Sequence, residues 1–290
     1  MFASINGIQM AFADEGRGLP LLFIHGFPLN RGAWAHQIEA FKSRFRVIVP
    51  DLRGFGESGS SAGPVSMSCF AEDIWALGQH LGLGPVILAG HSMGGYIALA
   101  IAKAYPTMLR GLVLVGTKAG SDSEDAAKEH LAVAQKVMGP GPSAVLEAMA
   151  SKMLFDSNAD TSKTASVRSC MAPANSEGIA GALRGMALRP DVHDVLGKIR
   201  VPTLIVSGSD DRVIPPSEAE ALAKAIPDSR LSIIPRAGHL VALDQSEAFN
   251  EAMKEWLAWG STGVHPGCQQ KRQRRSPAIQ VPFERRHCAL

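Results

Sequence analysis

The sequence predicts an α/β fold with a mostly parallel central sheet, helices on both faces and an inserted helical cap. Two observations carry this. Short apolar runs alternate with helical spacing along most of the 290 residues, and between Lys118 and Arg200 helical spacing continues alone. Short continuous apolar runs suit strands buried on both faces, as in a parallel sheet sandwiched by helices.

The first element is "FASINGIQMAFADEG", two β-like runs about Asn6-Gly7, a pair that readily supplies the two positive φ angles of a type I′ hairpin turn. Buried strands are expected at Leu21–Ile24, Arg46–Val49, Val86–Leu88, Leu112–Val115, Thr203–Val206 and Leu231–Ile234. The cap reads as helices in "SDSEDAAKEHLAVAQKVMG", "PSAVLEAMASKMLF" and "NSEGIAGALRGMAL". Ser121 with Glu124 has capping-box spacing at its start, and Ser217 with Glu220 repeats that spacing before "AEALAKAI". The helix "QSEAFNEAMKEWLAWG" closes the fold. The expected organisation is therefore a core in two parts, 1–117 and 201–260, around a cap at 118–200, followed by a tail at 261–290.

The net charge of +2 conceals an asymmetry. Six basic residues (Lys271, Arg272, Arg274, Arg275, Arg285, Arg286) and one acid (Glu284) lie in the tail, leaving residues 1–260 at −3. The tail has no helical or strand period and reads as a disordered, solvated appendage, with no nucleic-acid partner expected. Cys69, Cys170, Cys268 and Cys288 form no C-x-x-C pair and no metal-type spacing with histidine, so free thiols and a reducing compartment are expected. The N-terminal stretch lacks the basic and apolar regions of a signal peptide, and no apolar run reaches the length of a membrane span. The expected location is the cytoplasm. No metal and no cofactor are expected.

"AGHSMGGYIALA", residues 89–100, sets Ser92 between Gly90 and Gly94, after a buried strand and before helical spacing. This is G-x-S-x-G in the setting of a nucleophile elbow, where the serine takes a strained backbone position and a Cβ at either glycine would clash. An ordinary turn serine is the plainer alternative. A catalytic serine needs a base, itself oriented by an acid. His239 follows the last expected strand in "PRAGHLVALDQ", and Asp210 and Asp211 follow the one before it. That places the residues in the chain order serine, acid, histidine of the elbow architecture. For each there is also a structural reading: a core or surface histidine, a helix-capping or turn aspartate.

With "HGFP" at 25–28, "DLRGFGESG" at 51–59, "GHSMGG" at 90–95, "GSDDRVIP" at 208–215 and "AGH" at 237–239, the chain resembles the α/β-hydrolase superfamily over roughly residues 5–260. The resemblance implies Ser92 as nucleophile, His239 as base, and Asp211 as the acid, since it holds the acid place of the family's G-x-x-D-x-x-x-P. It also implies an oxyanion hole from the backbone N–H groups of Phe27 and Met93. In some relatives the acid follows the strand before the cap, where this chain has "VGTKAG" and no acid. His25 and Arg53 read as loop-holding residues, and His91 as filler before the nucleophile.

Serine at the elbow separates the chain from haloalkane dehalogenases and epoxide hydrolases, which use aspartate there, and from dienelactone hydrolases, which use cysteine. The resemblance to bacterial carboxylesterases and the 3-oxoadipate enol-lactonase-like group implies a carboxylesterase acting on a small ester. A lactonase or enol-lactonase, a cofactor-free perhydrolase of the non-haem haloperoxidase type, and a receptor-like ligand-binding homologue are the alternatives. The cap's Met138, Met149, Met153, Leu154, Met171 and Met186 suggest an adaptable pocket for short to medium acyl chains.

Overall fold

Asn6 and Gly7 take φ of 42° and 82° and join β1 (Phe2–Ile5) to β2 (Ile8–Gly16), with Ile5 opposite Ile8. The computed structural model describes residues 1–156, 161–172 and 175–261. The apolar runs form β3 (Pro20–Ile24), β4 (Arg46–Pro50), β5 (Val86–His91), β6 (Leu109–Val115), β7 (Thr203–Gly208) and β8 (Ser229–Ile234). The eight strands lie in the order β1-β2-β4-β3-β5-β6-β7-β8. β1–β2 and β2–β4 pair antiparallel, and every other neighbouring pair is parallel.

Because successive strand residues point to opposite faces, each run feeds two cores. Leu22, Ile24, Ile48, Leu88, Leu112 and Leu114 pack with Phe70 and Ile74 of α2 (Met67–His80) and Ile97 of α3 (Met93–Ala104). Leu21, Phe23, Val47, Val49, Val113 and Val115 face Phe41 of α1 (Ala35–Phe41) and Phe249, Met253 and Trp256 of α11 (Ser246–Ser261). The expectation of burial on both faces fails for β8. It is the edge of the sheet, and Leu231 and Ile233 are exposed.

Between β6 and β7 the chain is helical: α4 (Glu124–Met138), α5 (Ser143–Met153), α6 (Thr161–Met171), α7 (Ser176–Ala187) and the short α8 (His193–Leu196). The first capping box is not formed. Ser123 caps α4, accepting from the Ala126 amide at 3.3 Å. Asp122, just before it, is held outside the helix by Lys118 at 3.1 Å and Arg189 at 3.2 Å. Glu124 and Asp125 then sit in the first turn, where the helix dipole favours negative charge. The second box fails too. α9 (Pro216–Ala225) starts at Pro216 without a side-chain cap, since a proline at the first helical position has no N–H to satisfy.

The short α10 (Val241–Asp244) leads into α11. Cys69 and Cys170 are free thiols. Cys268, Cys288 and the rest of the tail beyond 261 lie outside the described residues. Among the described residues no helix is long and apolar enough to cross a membrane.

Candidate active site

β5 ends at His91 and α3 begins at Met93, so Ser92 makes the turn alone, at φ 53° and ψ −115°. Such a conformation costs on the order of 1–3 kcal/mol and persists only where its surroundings hold it. Here the Ser92 amide donates to the Val115 carbonyl at 2.9 Å. The Ser92 carbonyl accepts from the Gly95 amide at 2.8 Å and from the Thr117 hydroxyl at 2.9 Å. A Cβ on Gly90 would lie 2.2 Å from the Gly94 carbonyl oxygen, and one on Gly94 would lie 2.4 Å from that of Ile24. Both obstacles are backbone, which explains the two glycines. Ser92 therefore stands at the N-terminus of a twelve-residue helix, where negative charge is stabilised.

His239 and Asp211 follow the C-terminal ends of β8 and β7, at the same end of the parallel strands as Ser92. Their side chains are buried, and His239 Nδ1 lies 2.8 Å from Asp211 Oδ2. The other carboxylate oxygen accepts the amides of Val213 at 2.8 Å and Ile214 at 2.9 Å. Burial opposes ionisation of Asp211, but the His239 hydrogen bond and charge and the two amides outweigh it. They hold the carboxyl below its ordinary range. With a proton on Nδ1 for Asp211, a neutral His239 has its lone pair on Nε2. Asp210 does none of this: it accepts from the Ser209 hydroxyl.

The glycine after β6 brings the groups together. A Cβ on Gly116 would sit 3.4 Å from both His239 Nδ1 and Asp211 Oδ2, and the adjoining Val115 carbonyl holds Ser92. Among the described residues the Ser92 hydroxyl has no hydrogen-bond partner. Nucleophile–base contacts of this kind are often long before substrate binds. The Met93 amide opens α3 and so has no intrahelical acceptor. The Phe27 amide has none among the described residues either.

His91 is more than filler. It is fully buried, its Nε2 bonds the His239 carbonyl at 2.9 Å, and the two imidazoles lie 4.8 Å apart. Burial first, then the neighbouring His239, pushes its pKa down to about 3. Thr117, which grips the Ser92 carbonyl, was equally silent in the sequence. Both contacts are tertiary and leave no local pattern.

His25 accepts the Leu52 amide on Nε2 at 2.9 Å, so its proton is on Nδ1, directed at the Gly26 carbonyl at 3.0 Å. Burial lowers its pKa. Arg53 clasps Asp73 through two bonds of 2.8 and 2.7 Å and reaches the Asn6 carbonyl. Both hold loops, as expected. Met153, Leu154 and Met171 are buried with Leu29, Leu240 and Leu243 beside the His239 loop, whereas Met138 is exposed and roofs nothing. A cavity of about 380 Å³ bordered by Arg44, Arg110 and Trp256 lies at the other end of the strands, near Ile87 and Gly111, and shares no residue with this site.

Comparison with known proteins agrees with this architecture. The family model described as alpha/beta hydrolase fold matches residues 20–246. A thermophilic esterase from Thermogutta terrifontis is 41% identical, with a TM-score of 0.87 over 90% of this chain and 99% of its own. An esterase from Exiguobacterium antarcticum is 28% identical, with a TM-score of 0.79 over 89% of this chain and 98% of its own. An (E)-2-((N-methylformamido)methylene)succinate hydrolase from Acinetobacter baylyi is 30% identical over 87% of this chain and 95% of its own length. On the fold, the elbow and these matches together, the chain belongs to the alpha/beta hydrolase fold family.

Proposed function

We propose that the protein is a serine carboxylesterase acting on short- to medium-chain esters. The observation that carries this reading is a strained Ser92 at a helix N-terminus and a buried His239–Asp211 couple, all at the C-terminal ends of the parallel strands. The 41% identity to an esterase over nearly the whole fold supports the ester as substrate class.

In this mechanism Ser92 Oγ attacks the ester carbonyl carbon while His239 Nε2 takes its proton. The oxyanion meets the N–H groups of Phe27 and Met93, donors that need no reorganisation as charge develops. Asp211 keeps the Nδ1–H tautomer and stabilises the imidazolium. The tetrahedral adduct collapses, the C–O bond to the alcohol breaks, and His239 returns the proton to that alcohol. A water then gives its proton to His239 and its oxygen to the acyl carbon. The bond from the acyl carbon to Ser92 Oγ breaks, His239 returns the proton to Oγ, and the carboxylic acid leaves.

The apolar group of Met153, Leu154 and Met171 next to the His239 loop supports a limited acyl chain, and methionines pack adaptably around several shapes. The test is a p-nitrophenyl ester series from acetate to palmitate, run below and above the solubility limit. The expected maximum lies among the short and medium chains, with no jump in rate when droplets form. A maximum at palmitate would overturn the reading, and a lactone turned over faster than every open-chain ester would replace it with a lactonase.

A further inference from the structure

Three backbone groups around His239 are held by named partners. The Gly238 amide donates to Asp244 Oδ2 at 2.8 Å, the His239 carbonyl is bonded by His91, and the Leu240 amide donates to the Met153 carbonyl at 2.8 Å. The same oxygen of Asp244 also accepts the Phe155 amide at 2.7 Å. Met153 ends α5, so one carboxylate oxygen joins the chain leaving α5 to the loop carrying His239. Lys163 of α6 adds a bond to the Asp244 carbonyl at 2.6 Å. The segments touch backbone to backbone: a Cβ on Gly238 would lie 2.5 Å from the Leu154 carbonyl carbon and 2.6 Å from the Phe155 nitrogen.

We propose that Asp244 is a positioning residue that fastens the helical insert to the His239 loop, so that placing the insert and placing the base are one event. The proposal rests on His239 being the base. Asp244 is buried and makes no contact with the reacting groups. Its carboxylate acts through the Gly238 amide, just before the imidazole, and the Phe155 amide of the insert. Met153 and Leu154, which pack with Leu29 and Leu240, belong to the fastened segment. A substrate that shifts them shifts His239 as well. Misplacement of a reacting group by about 1 Å can cost 10²-fold in rate.

Asp244→Ala removes the shared acceptor, whereas Asp244→Asn keeps one oxygen that can take both amides. The full-length proteins are compared on p-nitrophenyl butyrate, with active sites counted by fluorophosphonate titration and amide exchange followed at 153–155 and 238–240. The alanine variant should lose about 10–100-fold in kcat per titrated site with KM little changed, and asparagine should recover most of it. Protection at Phe155, Gly238 and Leu240 should fall together in the alanine variant. Should alanine not fold, Phe155→Pro removes the insert's donor together with the phenyl ring, and Phe155→Ala, which keeps the amide, is its control. The preceding Leu154 is extended at ψ 157°, as a following proline requires. The proline variant should loosen 238–240 from a site in the insert and lower kcat in the same way. An unchanged kcat per site in folded Asp244→Ala or Phe155→Pro protein, or protection lost in one segment alone, would overturn the proposal. Failure of the Ser92–His239 reading looks different: wild-type Ser92 would take no fluorophosphonate, and the exchange data would then decide the fastening by themselves.

Discussion

The imidazole of His91 donates its Nε2–H to the backbone carbonyl of His239 at 2.9 Å, so the residue before the elbow serine supports the residue read as its base. The two histidines divide their work through their surroundings. Among the described residues His91 has no carboxylate hydrogen-bond partner, and its Nδ1 is buried without a hydrogen bond. His239 has Asp211.

Stability should fall in mild acid. Above pH 6.5 His91 and His25 are neutral in folded and unfolded chains alike, and nothing is lost. Below it the unfolded chain binds protons that His91, with a pKa near 3, and His25, also lowered by burial, refuse. Stability therefore drops as pH falls from about 6.5 towards 3. Asp211, lowered by His239 and two amides despite its burial, adds a loss in the same direction as pH falls below the ordinary carboxylate range. Urea midpoints should be level between pH 8 and 7 and decline from about pH 6.5. A midpoint unchanged down to pH 5 would contradict the burial of neutral His91.

Asp211→Asn and Asp210→Asn should separate cleanly. Asp211 bonds the imidazole, whereas the Asp210 carboxylate accepts from the Ser209 hydroxyl. Losing the carboxylate that sets the tautomer of the base costs about 10⁴ in kcat in comparable triads. Asp210→Asn should stay within about twofold of wild type, because a surface change away from the chemistry removes little. Steady-state kinetics on one aryl ester decides it, and a dead Asp210→Asn would refute the pairing.

Gly94→Ala should be a folding defect before it is a catalytic one. Its methyl would meet the Ile24 carbonyl oxygen at 2.4 Å, and backbone cannot step aside as a side chain can. Overpacking of this kind costs about 1–3 kcal/mol or more. For a chain of this size that is roughly 2–4 °C in Tm per kcal/mol. Differential scanning fluorimetry showing an unchanged Tm would mean that the elbow is looser than described.

The strand runs were legible because in β3 to β7 nearly every residue is buried, so apolarity alone marks them. β8 is legible as a strand, but its exposure is not. Leu231 and Ile233 look like core residues, and only the sheet order, a non-local fact, puts them at an edge. The start of α4 was shifted for a similar reason: Asp122 answers to Arg189, 67 residues away, and not to the local capping pattern. Ser92, Asp211 and His239 stood out because strand-end loops in α/β sheets carry the chemistry and keep their chain order. His91, Thr117 and Asp244 support that site through contacts with distant backbone, and such contacts have no signature in local sequence.

The central claim, that Ser92 is the nucleophile of an ester hydrolase, meets its most direct test in the Ser92→Ala protein. Wild type and variant are assayed side by side on p-nitrophenyl butyrate, with circular dichroism and Tm to show that both are folded. Loss of the nucleophile should reduce kcat by about 10⁴–10⁶. The variant should stay folded, since alanine replaces a small side chain without crowding the turn. Activity of a folded Ser92→Ala protein within tenfold of wild type would contradict the account.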